Sequence, residues 1–265
     1  MADAPEDLPV ATALPPRSQR QPRAIVVDPK VLIVGGTVAV LGVVVLALFL
    51  WMVPHAAARE SISACRGLGG YNAVNKALCP GGGRSCSLPQ PAPDFEAFDH
   101  TGKKVKLSEL RGKVVLLNFW ASWCGVCSLE KPMLADMARE LGGDNFEVVA
   151  LASDHNWTNV IRALVSSLAK GTPLPQVGPD GQMAPTEEAK TAFRGAFPDG
   201  LPFRVLVDPP DDDGTMGKIT KSWGISAVPE SALIDKKGQI RAYFVNKRDW
   251  ESPVAQTCLR SVIDE

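Results

Sequence analysis

The longest apolar feature of the chain is residues 31–53, VLIVGGTVAVLGVVVLALFLWMV, which carry no charge. At 1.5 Å per residue, a helix of that length crosses a hydrocarbon core of roughly 30 Å. A signal-peptide core is shorter, about 7–15 residues, and follows a shorter leader. The run therefore predicts a retained anchor. The alternative is a signal cleaved near the AAA at 56–58. From residue 91 the pattern changes to short apolar runs alternating with helical periodicity. KVVLLNF (113–119) and FEVVALAS (146–153) have the length and β-branched content of buried strands. Between them Leu129, Met133 and Met137 recur every fourth residue, and Gly142-Gly143 marks a helix stop. Val160, Ile161, Leu164, Val165 and Leu168 predict an amphipathic helix capped by Asn156.

After a Pro- and Gly-rich loop (171–186), TEEAKTAFRGAF (186–197) reads as a helix capped by Thr186. FRVLVD (203–208) reads as a strand, and PPDDDG as a solvated turn without the alternation of a calcium loop. SALID (231–235) and QIRAYFV (239–245), joined by KKG, form a predicted hairpin. The last helix opens with Ser252 as cap and Pro253 in its first turn, and its expected inward stripe is Val254, Cys258, Leu259 and Val262. Strand–helix alternation closed by a hairpin and a helix implies an α/β layered domain.

Upstream of that domain the organisation is simpler. Residues 1–30 carry Pro5, Pro9, Pro15, Pro16, Pro22 and Pro29 and read as a disordered tail. Residues 54–90 form a Cys-containing juxtamembrane segment. It starts with a short linker (54–64), offers two helical turns in YNAVNKAL, and ends at LPQPAP, so the folded domain spans 91–265. Arg17, Arg20, Arg23 and Lys30 precede the apolar run, whereas Arg59 and Arg66 follow it. The positive-inside rule then places the N-terminus in the cytoplasm and exports residues 54–265. All six cysteines lie on the exported side, where disulfides persist. A formal net charge of −1 gives no reason to expect nucleic acid as a partner.

The chemistry concentrates in WASWCGVCSLEKP (120–132). Cys124-x-x-Cys127 at a strand-to-helix junction places the first sulfur among unpaired N–H groups at the positive end of the helix dipole. A thiol pKa of about 8.5 falls toward neutrality or below in such a place. Cys124 is then the attacking nucleophile, and Cys127, one turn further in, resolves the mixed disulfide. A zinc site would need further ligands, and His55, His100 and His155 are scattered. No metal and no cofactor are expected. A bridge over so short a loop is also a weak staple.

The segment NFWASWCGVCSLEKPML resembles the active site of the thioredoxin superfamily, and FWASWC followed by EKP is similar to its membrane-anchored TlpA/ResA/DsbE-like branch. APDFEAFDHTGKKVKLSELRGKVVLLNFW and WGISAVPESALIDKKGQI extend the resemblance over about residues 91–265. It implies a thioredoxin-like three-layer fold, a central mixed sheet flanked by helices, with an enlarged insertion at about 156–202. It also implies that Pro229 is a cis-proline facing the cysteines, with Val228 and Trp123 lining a docking surface for a substrate chain. Asn118 stands where thioredoxin has a buried Asp that assists proton transfer. An asparagine does not titrate, so another carboxylate or solvent must serve. Glu130 is a candidate, although a carboxylate on that helix reads first as a surface residue.

Cys65, Cys79, Cys86 and Cys258 allow three complete pairings and read as structural disulfides. Joining Cys65 to Cys79 is one option, and tying the juxtamembrane segment to Cys258 is another. The resemblance implies a thiol–disulfide oxidoreductase in the bacterial inner membrane, its domain in the periplasm. It would reduce specific exported proteins, such as those of cytochrome c or copper-site maturation, and would be recharged by a membrane donor of the DsbD/CcdA type. Two other readings are a copper-delivery protein using His155 and a peroxiredoxin-like peroxidase.

Overall fold

The computed structural model describes residues 28–70, 73–79, 85–175, 184–210 and 214–265. The proline-rich tail before residue 28, all of PGGG and the acidic core of PPDDDG lie outside the described residues. Met1–Met52 and Val53–Glu265 are separate compact units. In the first, helix α1 (Pro29–Gly67) begins with 24 residues, Pro29–Met52, long and apolar enough to cross a membrane. In the second, α1 runs on to Gly67, so the stretch read as a linker is helical. Its AAARESISA composition favours that state.

YNAVNKAL does not form two helical turns. It contributes β1 (Ala73–Asn75) and a single 3-10 turn at Lys76–Leu78. β1 pairs antiparallel with β2 (Ser85–Ser87), Val74 opposite Cys86. The Cys79–Cys86 disulfide closes this hairpin, and its Cα atoms are 5.6 Å apart. Cross-strand pairing satisfies backbone groups that Asn and Val would hold poorly in so short a helix.

The chain then runs through β3 (Gln90–Pro91), β4 (Glu96–Phe98), β5 (Lys104–Lys106), β6 (Val114–Trp120), α2 (Gly125–Leu141), β7 (Phe146–Ala152), α3 (Trp157–Leu168) and α4 (Glu187–Ala196). It finishes with β8 (Arg204–Val207), α5 (Lys218–Ser222), β9 (Glu230–Ile234), β10 (Gln239–Val245) and α6 (Pro253–Ile263). Six strands form one sheet in the order β3-β10-β9-β6-β7-β8. β6, β7 and β8 are parallel, and β9 runs antiparallel to β6. The expected hairpin is β9–β10, with Asp235 accepting the amides of Lys237 and Gln239 at 2.9 Å.

β6 is buried along its whole length. Val114, Leu116 and Trp120 point into a core built by α2, α3, α4 and α6, while Val115, Leu117 and Phe119 meet Trp223, Ile225 and the β4–β5 ribbon on the other face. A strand covered on both sides needs apolar residues at successive positions, which is why KVVLLNF does not alternate. The result is a thioredoxin-like mixed sheet with a layer on each face. The 156–202 region adds α3 and α4 to one of those layers, and Val160, Ile161, Leu164, Ala189 and Phe193 join the core. Asn156 and Thr186 cap these helices as expected.

Two expected stripes are displaced. On α2, Leu129 is 65% exposed and Met133 half-buried, and only Met137 is buried. A four-residue step advances about 400°, so such a stripe drifts about 40° per step across the edge of the buried face. The true inward face is Cys127, Glu130, Lys131, Leu134, Ala135 and Ala138 with Met137. On α6, Val254 is exposed and Ala255 takes its place beside Cys258, Leu259 and Val262.

Cys258 bonds to Cys65 at the end of α1, and the Cα atoms lie 4.5 Å apart. The Cys65–Cys79 pairing is therefore excluded. The Cys65–Cys258 link spans 193 residues of sequence, so it restricts the unfolded chain far more than the seven-residue link does. A Cys65→Ala/Cys258→Ala variant is expected to lose about 2–5 kcal/mol of unfolding free energy. The Cys79→Ala/Cys86→Ala pair is expected to lose less, both read by urea titration.

Candidate active site

The chain leaves the C-terminal end of β6 at Trp120 and enters α2 at Gly125. Cys124 is the N-cap, and its sulfur accepts the Cys127 amide at 3.2 Å. Its own amide donates to the Ala121 carbonyl at 3.1 Å, which closes the turn. The two sulfurs form a disulfide, Cα to Cα 5.2 Å. Cys127 is fully buried, and Cys124 retains a small exposed surface. Helix geometry thus separates an accessible sulfur at the positive end of the dipole from a shielded one a turn inside. Pro132 lies within α2, so the Ser128 carbonyl lacks its usual amide donor there.

The rim is apolar. Trp123, Val126 and Leu129 are each half or more exposed around the disulfide. The Val228–Pro229 bond is cis, and the Val228 carbonyl oxygen is 3.6 Å from the Cys124 sulfur. The structure therefore brings Trp123, Cys124, Cys127, Val228 and Pro229 to the end of the sheet where β6 meets α2. Cys65, Cys79, Cys86 and Cys258 pair elsewhere.

Beneath the disulfide, Glu130 is not a surface residue. It is buried, its Oε1 accepting the Trp250 indole N–H at 2.7 Å and the Arg248 amide at 2.9 Å. Its Oε2 accepts from the Asn118 amide nitrogen at 3.3 Å. Helical spacing puts residues 130 and 131 on the Cys127 face, and the tertiary donors make that face tolerable for a carboxylate. Asn118 also donates to Ser231 Oγ at 3.0 Å and accepts from Lys131 Nζ at 2.7 Å. Lys131 is fully buried, with its ammonium 4.3 Å from the Trp120 ring centroid. Burial lowers its pKa to about 7, and the Glu130 charge opposes that shift.

A second buried carboxylate holds the loop from the other side. Asp154 follows β7 and accepts the Ser122 amide at 2.8 Å as well as its hydroxyl. Burial raises its pKa to about 6, against the Ser122 hydrogen bonds and the His155 charge. Farther along, Glu230 accepts the Tyr243 hydroxyl at 2.6 Å, and burial raises the pKa of both groups. His155, the sequence candidate for copper, is exposed beside Asp154. Sequence reasoning missed Lys131, Asp154, Ser231, Arg248 and Trp250. The spacing of Lys131 from Cys127 was a usable signal, but an ionisable residue on a helix is ordinarily read as solvated.

The Redoxin family profile matches residues 89–259. The chain is 28% identical over 164 residues to "Thiol-disulfide oxidoreductase ResA" of Bacillus anthracis, a match covering 62% of this chain and 73% of that protein. To a protein of the same name from Bacillus cereus it is 30% identical, again over 62% and 73%. A crystal structure described as a "putative Thiol:disulfide interchange protein DsbE from Chlorobium tepidum" is 27% identical, covering 66% of this chain and 96% of that one with a TM-score of 0.46.

The Asp154 environment has a measurable consequence. Its pKa is higher folded, about 6, than in an unfolded chain, 3.8. Between those values the folded state binds the extra proton, so stability falls as pH rises from about 4 to 6. Urea titrations at pH 4 and 6.5 are expected to show this decline in the wild-type chain. In Asp154→Asn, the part contributed by this carboxyl should be missing, leaving a smaller difference between the two pH values.

Proposed function

The chain belongs to the Redoxin family, and on that premise we propose that Cys124 and Cys127 exchange disulfides with exported proteins while the chain is tethered to a membrane. The observation that carries this reading is the Cys124 sulfur, capping α2 at an exposed apolar rim with its partner buried one turn away. In the reducing direction, the Cys124 thiolate attacks a substrate disulfide and forms a mixed disulfide, and one substrate sulfur leaves as thiolate. Cys127 then loses its proton, and its thiolate attacks the Cys124 sulfur. The Cys124–Cys127 bond forms, and the second substrate sulfur departs with the electron pair and takes up a proton. Two electrons pass to the substrate, and the pair ends oxidised.

Glu130 serves as the proton acceptor for Cys127. It occupies the buried face one turn on, and its Oε2 accepts from Asn118 at 3.3 Å, a long bond that leaves this oxygen less committed than Oε1. Trp123, Val126, Leu129 and the Val228 carbonyl form the surface on which an extended substrate segment docks. The apolar helix Pro29–Met52 supports single-pass anchoring in a bacterial inner membrane, N-terminus inside and domain in the periplasm. Tethering raises the local concentration of membrane partners, and a donor of the DsbD/CcdA type would return the pair to its dithiol form. The resemblance of WASWCGVCSLEKP to the TlpA/ResA/DsbE-like branch is what leans toward the reductant role.

Two variants test the assignment. Cys127→Ser is expected to accumulate mixed disulfides with substrate proteins, visible as thiol-sensitive bands, because the attacking sulfur remains and the resolving one is gone. Cys124→Ser should trap none and should lose exchange by about 100-fold or more. Equal trapping by both variants would remove Cys124 from the nucleophile role. A reduction potential near those of strong oxidants, about −120 mV, would keep the site and reverse the direction of electron flow.

A further inference from the structure

A fully buried lysine needs a reason. Lys131 lies one helical turn beyond Cys127, on the same face of α2, so the two side chains are neighbours. Its ammonium has an uncharged amide oxygen at 2.7 Å and an aromatic face at 4.3 Å. These two contacts leave the charge without a directly bonded counter-ion. A methionine of similar length would fill the same space without desolvating a charge.

We propose that Lys131 is a positioning residue for disulfide exchange: its ammonium favours the thiolate form of the Cys124–Cys127 pair, and its hydrogen bond to Asn118 aims that amide's NH2 group at Glu130. The inference rests on the exchange reading above. The second half follows from valence. An asparagine amide has one oxygen and one nitrogen, and the lysine, a donor with nothing to accept, requires the oxygen. The nitrogen is then left to Glu130 and Ser231. With the lysine absent the amide oxygen loses its donor, and only the contacts to Glu130 and Ser231 hold the NH2 group in place. The first half follows from electrostatics. A cation near the pair in a dry interior lowers the cost of a thiolate, and it does so only in the reduced protein, because a disulfide carries no charge.

The surrounding titratable groups are few. Glu130 shares the helix, Glu230 on β9 is tied to Tyr243 on β10, and Asp154 beyond β7 is tied to Ser122. Arg248 turns its guanidinium to the carbonyls of Gly69 and Lys247. Of these, Glu130 is the charge that raises the lysine's pKa against the effect of burial. Coupling is reciprocal: if the ammonium favours the thiolate, reduction of the pair must raise the affinity of Lys131 for its proton by the same factor.

That reciprocity supplies the test. The full wild-type chain, in detergent micelles and with 13C at lysine Cε, is titrated by NMR from pH 5 to 9 in its oxidised and reduced forms. The Lys131 signal is expected to titrate near pH 7 when oxidised and about one unit higher when reduced, a tenfold coupling. The same midpoint in both forms overturns the proposal, and no variant has to fold for that result. In parallel, thiolate absorbance of the reduced chain is followed against pH. Lys131→Met is expected to raise the apparent thiol pKa of the pair by about one unit, and Lys131→Arg to restore it. A thiol titration unmoved in a folded Lys131→Met chain also overturns the role of the lysine. A wild-type chain in which Cys124 exchanges with no disulfide overturns the oxidoreductase reading itself, a failure visible before any lysine is changed.

Discussion

Burial of β6 on both faces is the constraint from which the other positions follow. Its seven residues are covered by helices on one side and by the β4–β5 ribbon with the residues after α5 on the other. Each fully buried Val, Leu or Phe contributes about 1.5–3 kcal/mol, so a one-residue shift of register would exchange two sets of side chains shaped for different partners. With β6 fixed, its C-terminal end is fixed, and so is the start of α2. Cys124 becomes a helix cap because there is no other place for it.

The same strand carries one polar residue, Asn118, into the α2 face. An uncompensated amide at that depth would cost several kcal/mol against cyclohexane-like surroundings. The fold meets this with Ser231, directly opposite it on β9, and with Glu130 and Lys131 from α2. Glu130 is held in turn by Trp250 and by the Arg248 backbone. Two ionisable side chains are thereby kept in the interior, on the Cys127 face of α2. A purely apolar layer there would pack with less penalty.

On the other side of the loop, Asp154 grips Ser122 through backbone and hydroxyl. Asp154 lies two residues beyond β7, and Asp208 directly follows β8 and accepts the amides of Ile219 and Thr220 at the start of α5. Parallel strands thus deliver successive polar residues to one end of the sheet, the usual location of sites in open α/β folds. The cysteine loop is clamped between this edge and the Val228–Pro229 segment.

Pattern and local spacing determined strands β6 to β10, three capped helices and the Cys124–Cys127 pairing, because each depends on neighbours within a few residues: Asn156, Thr186 and Ser252 cap their own helices, and Cys124 meets Cys127 across one turn. It also determined that a segment ahead of the domain is apolar enough to span a membrane. The cis-proline position facing Cys124 was legible only through resemblance to a known family. Tertiary structure decided the rest. Cys258 chose Cys65 across 193 residues, Leu129 and Val254 turned outward, and Glu130 moved from the expected surface to the interior. The reason is that burial of a charge depends on its donors, and the donors to Glu130 come from residues 118, 248 and 250, which the chain brings together only after the sheet and α6 have packed.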